Sequence, residues 1–435
     1  MSLAEFARIP FIDEIVDAER LSQRLGFAVA PTRIRVKPGH GALLAWRRDP
    51  RSGASSSCTF TSADWGWTAI VTDPNKLDNI RRRAERRGTP IRLHAAGEAR
   101  SVLVSGELPG DPKLNKVIGR PGSGFSSEAE VLGYNPGRRL LLRSGNRFVR
   151  ISSTDCDHLV RTSRQWQRWG IPTLPVEFLG RRRTSVHSPW WGTGDLERCP
   201  DAGIATAVGE SIAELHRQEP PTALGTVVQP DELSADDAVS RPDVPPPPGL
   251  LAGQVPGAGP DIGPPPASSL QQDSSHPDTP GSSCSPLDLV DVARTLAELV
   301  PELDADLRTL ADELGTRLAQ AVEEGEDRPL HGDLSPDQVL IDGDDFRIID
   351  LDRVGAGPAG VDVGSWVARC RMNDLTDMED AFLDGYARRG GRIDDVEAWC
   401  ARALLTTAIE PFRQCRTDWR DQTVRTVAAA KQALR

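Results

Sequence analysis

Between residues 330 and 366 the chain reads LHGDLSPDQVLIDGDDFRIIDLDRVGAGPAGVDVGSW, and this run constrains the fold more tightly than any other. Two apolar stretches, Val339-Leu340-Ile341 and Ile348-Ile349, are short and rich in β-branched residues, which suits buried strands. Polar residues stand at their ends. His331, Gly332, Asp333 and Gln338 precede the first strand, and Asp350 and Asp352 follow the second. Gln338 lies five residues after Asp333, and Asp350 seventeen after it. Such spacing suits phosphoryl transfer. One carboxylate faces the attacking hydroxyl, as base or orienter. A carboxamide and a second carboxylate grip the metal on the nucleotide phosphates. Magnesium takes one or two protein carboxylates and completes its octahedron with water and phosphate.

The run resembles the catalytic and metal-binding loops of the aminoglycoside phosphotransferase and choline kinase family, whose pattern is H-x-D-x-x-x-x-N, then I-D in the next strand. The resemblance implies an α+β, protein-kinase-like fold of two lobes, a small β-sheet lobe and a mainly helical one. It implies ATP and Mg2+ as cofactors and a small-molecule hydroxyl as acceptor, on an aminoglycoside, another sugar or an amino alcohol. Asp333 resembles the catalytic Asp, and His331 shares its loop, where it is expected to bond backbone rather than act as base. Gln338 and Asp350 resemble the metal ligands, Asp352 a second acidic residue, and Asp362 the Asp that ties the loop to the following helix. Two departures stand out. Gln338 replaces Asn, which sets its amide oxygen one methylene further out. No lysine occurs between residues 117 and 430, so Arg150 in RFVRIS is the substitute for the nucleotide-anchoring Lys, without the compact ammonium geometry. The helix expected over 155–169 contains no Glu to pair with it.

Upstream the chain repeats itself. IRVKPGHGALLAW (34–46) matches LGYNPGRRLLLRS (132–144), and DPNKLDNIRRRAERRGTP (73–90) matches DCDHLVRTSRQWQRWGIP (155–172). A third match links Ser101-Val102 to Ser185-Val186. Each copy reads as strand, tight turn, strand, strand, helix, then two more strands. In the second copy the turn Asn135–Arg138 joins the first two strands, so Asn135, Gly137 and Arg138 are the phosphate-facing candidates. Only this copy runs directly into the helical part, and Ile70 falls opposite Arg150 in the first. The expected organisation is therefore an accessory repeat over 1–118 and the nucleotide lobe over 119–195. The helical lobe starts at 196–221 and continues, after a linker at 222–286, over 287–435. Within it Leu289, Val292, Leu296, Leu299, Leu303, Leu307, Leu310, Leu314 and Leu318 keep helical spacing, broken at Pro301.

The linker is read from composition. Residues 242–286 hold 13 prolines in 45 positions. Residues 222–286 carry eight acids against Arg241, a net of −7, which leaves −4 of the total −11 for the rest of the chain. Such a segment buries too little apolar surface to offset its chain entropy, and disorder is expected there, with peptide or protein docking as its alternative use. The net charge argues against a nucleic-acid partner. No run of 18 uncharged apolar residues exists, so no membrane span is expected. Seven scattered cysteines without C-x-x-C, and acids at Glu5 and Asp13, fit a cytoplasmic protein. Two alternatives stay open beside the small-molecule kinase: a kinase for Ser or Thr of a peptide, and a pseudokinase-type binding module, which the missing Lys–Glu pair motivates.

Overall fold

The computed structural model describes residues 9–49, 60–94, 101–220, 286–323 and 327–435. The expected linker lies outside these residues over 222–285, and Pro286, its last residue, instead opens a helix. Two short helices, α1 (Ile12–Val16) and α2 (Ala18–Leu25), precede an antiparallel sheet. Its strands are β1 (Val29–Lys37), β2 (Gly41–Arg48), β3 (Trp65–Val71), then, after helix α3 (Pro74–Arg87), β4 (Ile91–His94) and β5 (Val102–Glu107). A connector with the short helix α4 (Asn115–Ile118) leads to a second sheet. Its strands are β6 (Glu130–Asn135), β7 (Arg139–Ser144), β8 (Arg147–Ser152), then, after helix α5 (Asp157–Arg168), β9 (Glu177–Phe178) and β10 (Ser185–Pro189).

The two sheets share one topology. The spatial orders are β1-β2-β3-β5-β4 and β6-β7-β8-β10-β9, each with its helix after the third strand. The repeated Pro-Gly pairs occupy the same turn, with φ 72° at Gly39 and 71° at Gly137. One expected strand shrinks. Of the first strand expected after helix α5 only Glu177–Phe178 pairs in the sheet, since Pro175 has no N–H to offer a ladder. Thr173 leaves the sheet altogether and bridges to Ile348.

Strand alternation decides what each sheet face meets. On β2, Ala42, Leu44 and Trp46 join one core with Ile12, Ile15 and Leu21 of the leading helices, while Ala45 turns the other way. Trp67, Ala69, Val71 and Val104 share Ala45's core, and with them lie Leu140, Leu142, Val149 and Ile151 of the second sheet. The first sheet thus covers one face of the second. The opposite face of the second sheet carries Arg139, Leu141, Arg150 and Val186, as the pairings Leu141–Arg150 and Arg150–Val186 require.

The helical lobe begins with β11 (Gly194–Asp195) and α6 (Ala202–Arg217), whose first turn is capped where Asp201 accepts from the Ile204 N–H at 2.9 Å. Helices α7 (Pro286–Leu299) and α8 (Asp304–Glu323) follow, parted by a single turn at Pro301–Leu303 as the leucine spacing predicts. Leu296, Leu307 and Leu314 are fully buried. Four short strands come next: β12 (Arg328–Leu330), β13 (Val339–Asp342), β14 (Asp345–Ile348) and β15 (Gly355–Gly357). Helices α9 (Gly360–Met372), α10 (Thr376–Arg388), α11 (Val396–Thr407), α12 (Glu410–Arg413) and α13 (Trp419–Ala433) complete the lobe. The lobes are joined through backbone. The Thr193 N–H donates to the Ile341 carbonyl at 2.8 Å, the Ile348 N–H to the Pro172 carbonyl at 2.8 Å. Among the described residues no helix is long and apolar enough to cross a membrane.

Candidate active site

The loop after β12 is held from below by one carboxylate. Asp362, in the first turn of α9, is fully buried. Its Oδ2 accepts from the His331 N–H at 2.8 Å, and its Oδ1 from the Gly332 N–H at 2.7 Å. His216 of α6 adds Nε2 at 3.1 Å, and its Nδ1 lies 2.9 Å from the Tyr386 hydroxyl on α10. Burial by itself would raise the Asp362 pKa; the hydrogen bond and charge of His216 and the contacts from His331 outweigh it and hold the pKa below the ordinary carboxylate value. Gly332 sits at φ 80°, and a Cβ there would fall 2.2 Å from the Arg353 carbonyl oxygen. The loop's turn therefore requires glycine.

His331 is buried with both nitrogens engaged. Nε2 lies 2.8 Å from the Ile349 carbonyl, which can only accept, so this nitrogen carries the proton. Nδ1 accepts from the Asp333 N–H at 3.3 Å. His331, expected in this loop to bond backbone, is in this geometry a positioning residue that shapes the backbone around Asp333. Asp333 keeps its carboxylate partly open, and Oδ1 accepts from Arg353 Nη1 at 3.1 Å. Burial raises its pKa, Asp350 and Asp337 add to the rise, and Arg353 and His331 oppose it.

Two further loops bring up the oxygen donors. The Gln338 carbonyl accepts from the Ile349 N–H at 2.9 Å, which ties the single turn Pro336–Gln338 to the end of β14. Gln338 Nε2 donates to Asp337 at 3.4 Å, and its Oε1 has no hydrogen bond among the described residues. Asp350 stands at φ 58°, ψ 60°, a left-handed conformation that costs a non-glycine residue about 1–3 kcal/mol. Its carboxylate is one-third exposed and 3.9 Å from Arg139 Nη1. Both oxygens of Asp352 are taken, Oδ1 by Arg150 and Oδ2 by Arg139. Arg150, anchored deep in the sheet, has its pKa pushed down to about 10, by burial first and then by Arg139.

The hairpin turn Asn135–Arg138 has a different occupant from the one expected. The Gly137 N–H donates to Asp111 Oδ2 at 2.7 Å, and the Tyr134 hydroxyl to the same oxygen at 2.6 Å. Asp111 is fully buried and also accepts from the Lys113 and Leu114 N–H groups at 2.8 Å each. Arg35 of β1 reaches the Pro136 carbonyl at 3.5 Å. Asn135 and Gly137 thus have their turn packed into the first repeat, and Arg138 lies exposed beside it. The sequence repeat aligns the turn but carries no sign that the first copy covers it. The register also shifts one expectation: Leu43 pairs with Ala69 where its counterpart Leu141 pairs with Arg150, so Ala69, not Ile70, stands opposite Arg150. Trp190 and Trp191 each carry a guanidinium on the ring face, Arg143 at 4.2 Å and Arg347 at 4.9 Å.

Residues 195–401, which contain His216, Asp333, Gln338, Asp350, Asp352 and Asp362, match the model of the Phosphotransferase enzyme family. The match spans just under half of the chain, and over it the protein is similar to that phosphotransferase family. The chain is accordingly a phosphotransferase with a hydroxyl group as acceptor. No curated protein matches it. Among solved structures it is similar to a choline/ethanolamine kinase family protein from Mesorhizobium loti, at 14% identity and TM-score 0.45, over 74% of this chain and 92% of that one. It is also similar to an aminoglycoside phosphotransferase from Streptomyces rimosus, at 16% identity and TM-score 0.38, over 68% and 96%. A choline kinase from Cryptosporidium parvum gives 10% identity and TM-score 0.43, over 74% and 95%.

Three contributors to the phosphotransferase site escape the sequence reading: Arg139, Arg353, and the His216–Tyr386 pair behind Asp362. Only Arg139 leaves a signal in the sequence. In Arg139-Leu140-Leu141-Leu142 the buried leucines alternate with it, which puts Arg139 on the face of Arg150. A magnesium ion fits the donors present. Gln338 Oε1 and the Asp350 carboxylate are hard oxygens, the type that ion selects. Among the described residues no three His, Cys, Asp or Glu side chains cluster to hold a metal ion, so such a site would use the Gln338 amide oxygen beside Asp350.

Proposed function

We propose that this phosphotransferase transfers the γ-phosphoryl group of ATP to a hydroxyl of a small molecule, an aminoglycoside, another sugar or an amino alcohol. The observation that carries the reading is the convergence of three loops. They bring Asp333, Gln338 and Asp350 to one end of β13 and β14, opposite the guanidiniums of the second sheet. Gln338 and Asp350 would hold Mg2+, which when bound neutralises charge on the nucleotide phosphates. Asp333 accepts the proton of the acceptor hydroxyl as its oxygen bonds to phosphorus, and the bond to the departing ADP oxygen breaks. Asp362 and His331 keep the Asp333 backbone fixed during the transfer. Arg150 takes the place of the usual Lys as a phosphate-facing cation. The match of residues 195–401 to a phosphotransferase family supports a small-molecule acceptor. A reaction that consumes ATP goes with a cytoplasmic location.

The test is a panel of aminoglycosides, sugars and amino alcohols, followed by ADP release and by mass gain of the acceptor. Wild type is expected to phosphorylate at least one compound, and Asp333→Asn none at a comparable rate. Failure of wild type to bind magnesium ATP in a thermal-shift assay would refute the reading and favour a binding module instead.

A further inference from the structure

Two guanidiniums face the loop after β14, and a single carboxylate sits between them. Arg139 and Arg150 reach the two oxygens of Asp352 from neighbouring strands, and Arg139 also lies 3.9 Å from Asp350. The placement follows from register. Arg150 pairs with Leu141, two residues beyond Arg139, so both cations leave the same sheet face. Arg150 Nε is buried without a protein partner, so Asp352 does not exhaust the donors of this pair. Asp352 is largely buried, its side chain 17% exposed. A carboxylate held this way supplies part of the counter-charge that the largely buried Arg150 and the half-buried Arg139 need, and it does so with the oxygen geometry of a phosphate.

We infer that Arg139 is a second phosphate-binding cation of the nucleotide site, and that Asp352 is an internal anion which the nucleotide phosphates displace from the two arginines. The inference rests on the phosphotransferase reading and deepens it. A phosphate on a metal held by Asp350 lies beside Asp350, and Arg139 is already there. One guanidinium in place of Lys is diffuse and weakly hydrated; two of them restore charge density without a Lys–Glu pair. This gives Asp352 a role different from metal ligation, since both its oxygens are committed to arginine. Asp352 acts against loose anion binding, because any ligand must outbid it for both cations.

The experiment is calorimetric titration of ATP into the full chain, once with EDTA and once with magnesium, for wild type, Arg139→Gln, Arg139→Lys and Asp352→Asn. Arg139→Gln is expected to weaken ATP binding in both buffers, by roughly tenfold to a hundredfold for a lost charged hydrogen bond. Arg139→Lys, which keeps the charge and the fold, is expected to recover part of that loss. Asp352→Asn is expected to tighten binding in EDTA by about fivefold or more, because the competing charge is gone. Unchanged affinity in Arg139→Gln would overturn the inference. So would Asp352→Asn binding that weakens only with magnesium, the mark of a metal ligand, or a lower melting temperature with unaltered affinity, the mark of a structural bridge. Absence of magnesium ATP binding to wild type would remove the phosphotransferase reading itself, and this inference with it.

Discussion

A single carboxylate can be tuned by what stands next to it. Burial lifts the Asp333 pKa, and Arg353 at 3.1 Å pulls it back. A base must be ionised to accept a proton, so a raised pKa moves the acid limb of the rate profile toward neutral pH. Arg353→Gln removes the largest opposing influence and should move that limb further up, with little change at pH 9. A pH profile of kcat/KM with an active acceptor checks this; a limb that stays put or moves down would count against Asp333 as the base. Asp333→Asn should keep its ATP affinity while turnover falls by roughly 10²–10⁴-fold, measured by parallel calorimetry and ADP release.

Elements meet in this lobe where side chains are missing. Helices α6 and α10 cross at two reciprocal glycines. A Cβ on Gly209 would fall 2.1 Å from the Phe382 carbonyl oxygen, and one on Gly385 2.0 Å from that of Thr206. Both obstacles are backbone, so no rotamer relieves them. Gly209→Ala should cost about 1–3 kcal/mol or more, the range for overpacking, and lower the thermal midpoint. The same crossing carries the His216–Tyr386 contact, so the variant should lose phosphoryl transfer before it unfolds. Asp362 belongs to this scale too, since it ties α9 to the backbone of the loop at His331 and Gly332. Its depressed pKa means that its contribution to stability is present above the ordinary carboxylate value, about 3.9, and is lost as pH falls through the folded value. Asp362→Asn should therefore melt earlier at pH 7, and its difference from wild type should shrink at the lowest pH that both survive. A gap that widens on acidification would reverse the sign and refute the assignment.

For the whole molecule, the first sheet is a cover as well as a repeat. Leu140, Leu142, Val149 and Ile151 are at most 3% exposed, and Trp67, Ala69 and Val104 share their core. Burying each of those four larger side chains is worth about 1.5–3 kcal/mol. On its far side the first sheet reaches the helical lobe through Arg33, 3.1 Å from Glu410 on α12. A chain shortened to 119–435 should therefore expose an apolar sheet face and aggregate, as light scattering and dye binding would report. A soluble fragment with the wild-type melting temperature would show that the cover is dispensable.

What was legible in the sequence was whatever depends on neighbours along the chain. Short apolar runs bounded by turn signals give β6, β7, β8 and β13, since such runs favour strands whatever lies beyond them. The leucine spacing and Pro301 give α7 and α8, and the repeat gives the shared strand order of the two sheets. The loop run gives Asp333, Gln338 and Asp350 as a group, because they stand at the ends of two short adjacent strands, and its family resemblance implies Asp362 as the residue that ties the loop down. Tertiary structure decided the rest. Arg139 and Arg353 are distant in sequence from the carboxylates they touch. Asp111 enters the hairpin turn from a different segment, and Asp352 meets arginines rather than standing free for metal. Each of these is a choice of partner across space. Local sequence fixes which way a side chain leaves its own element, but only the packing of the two sheets and the helical lobe determines which charge it finds.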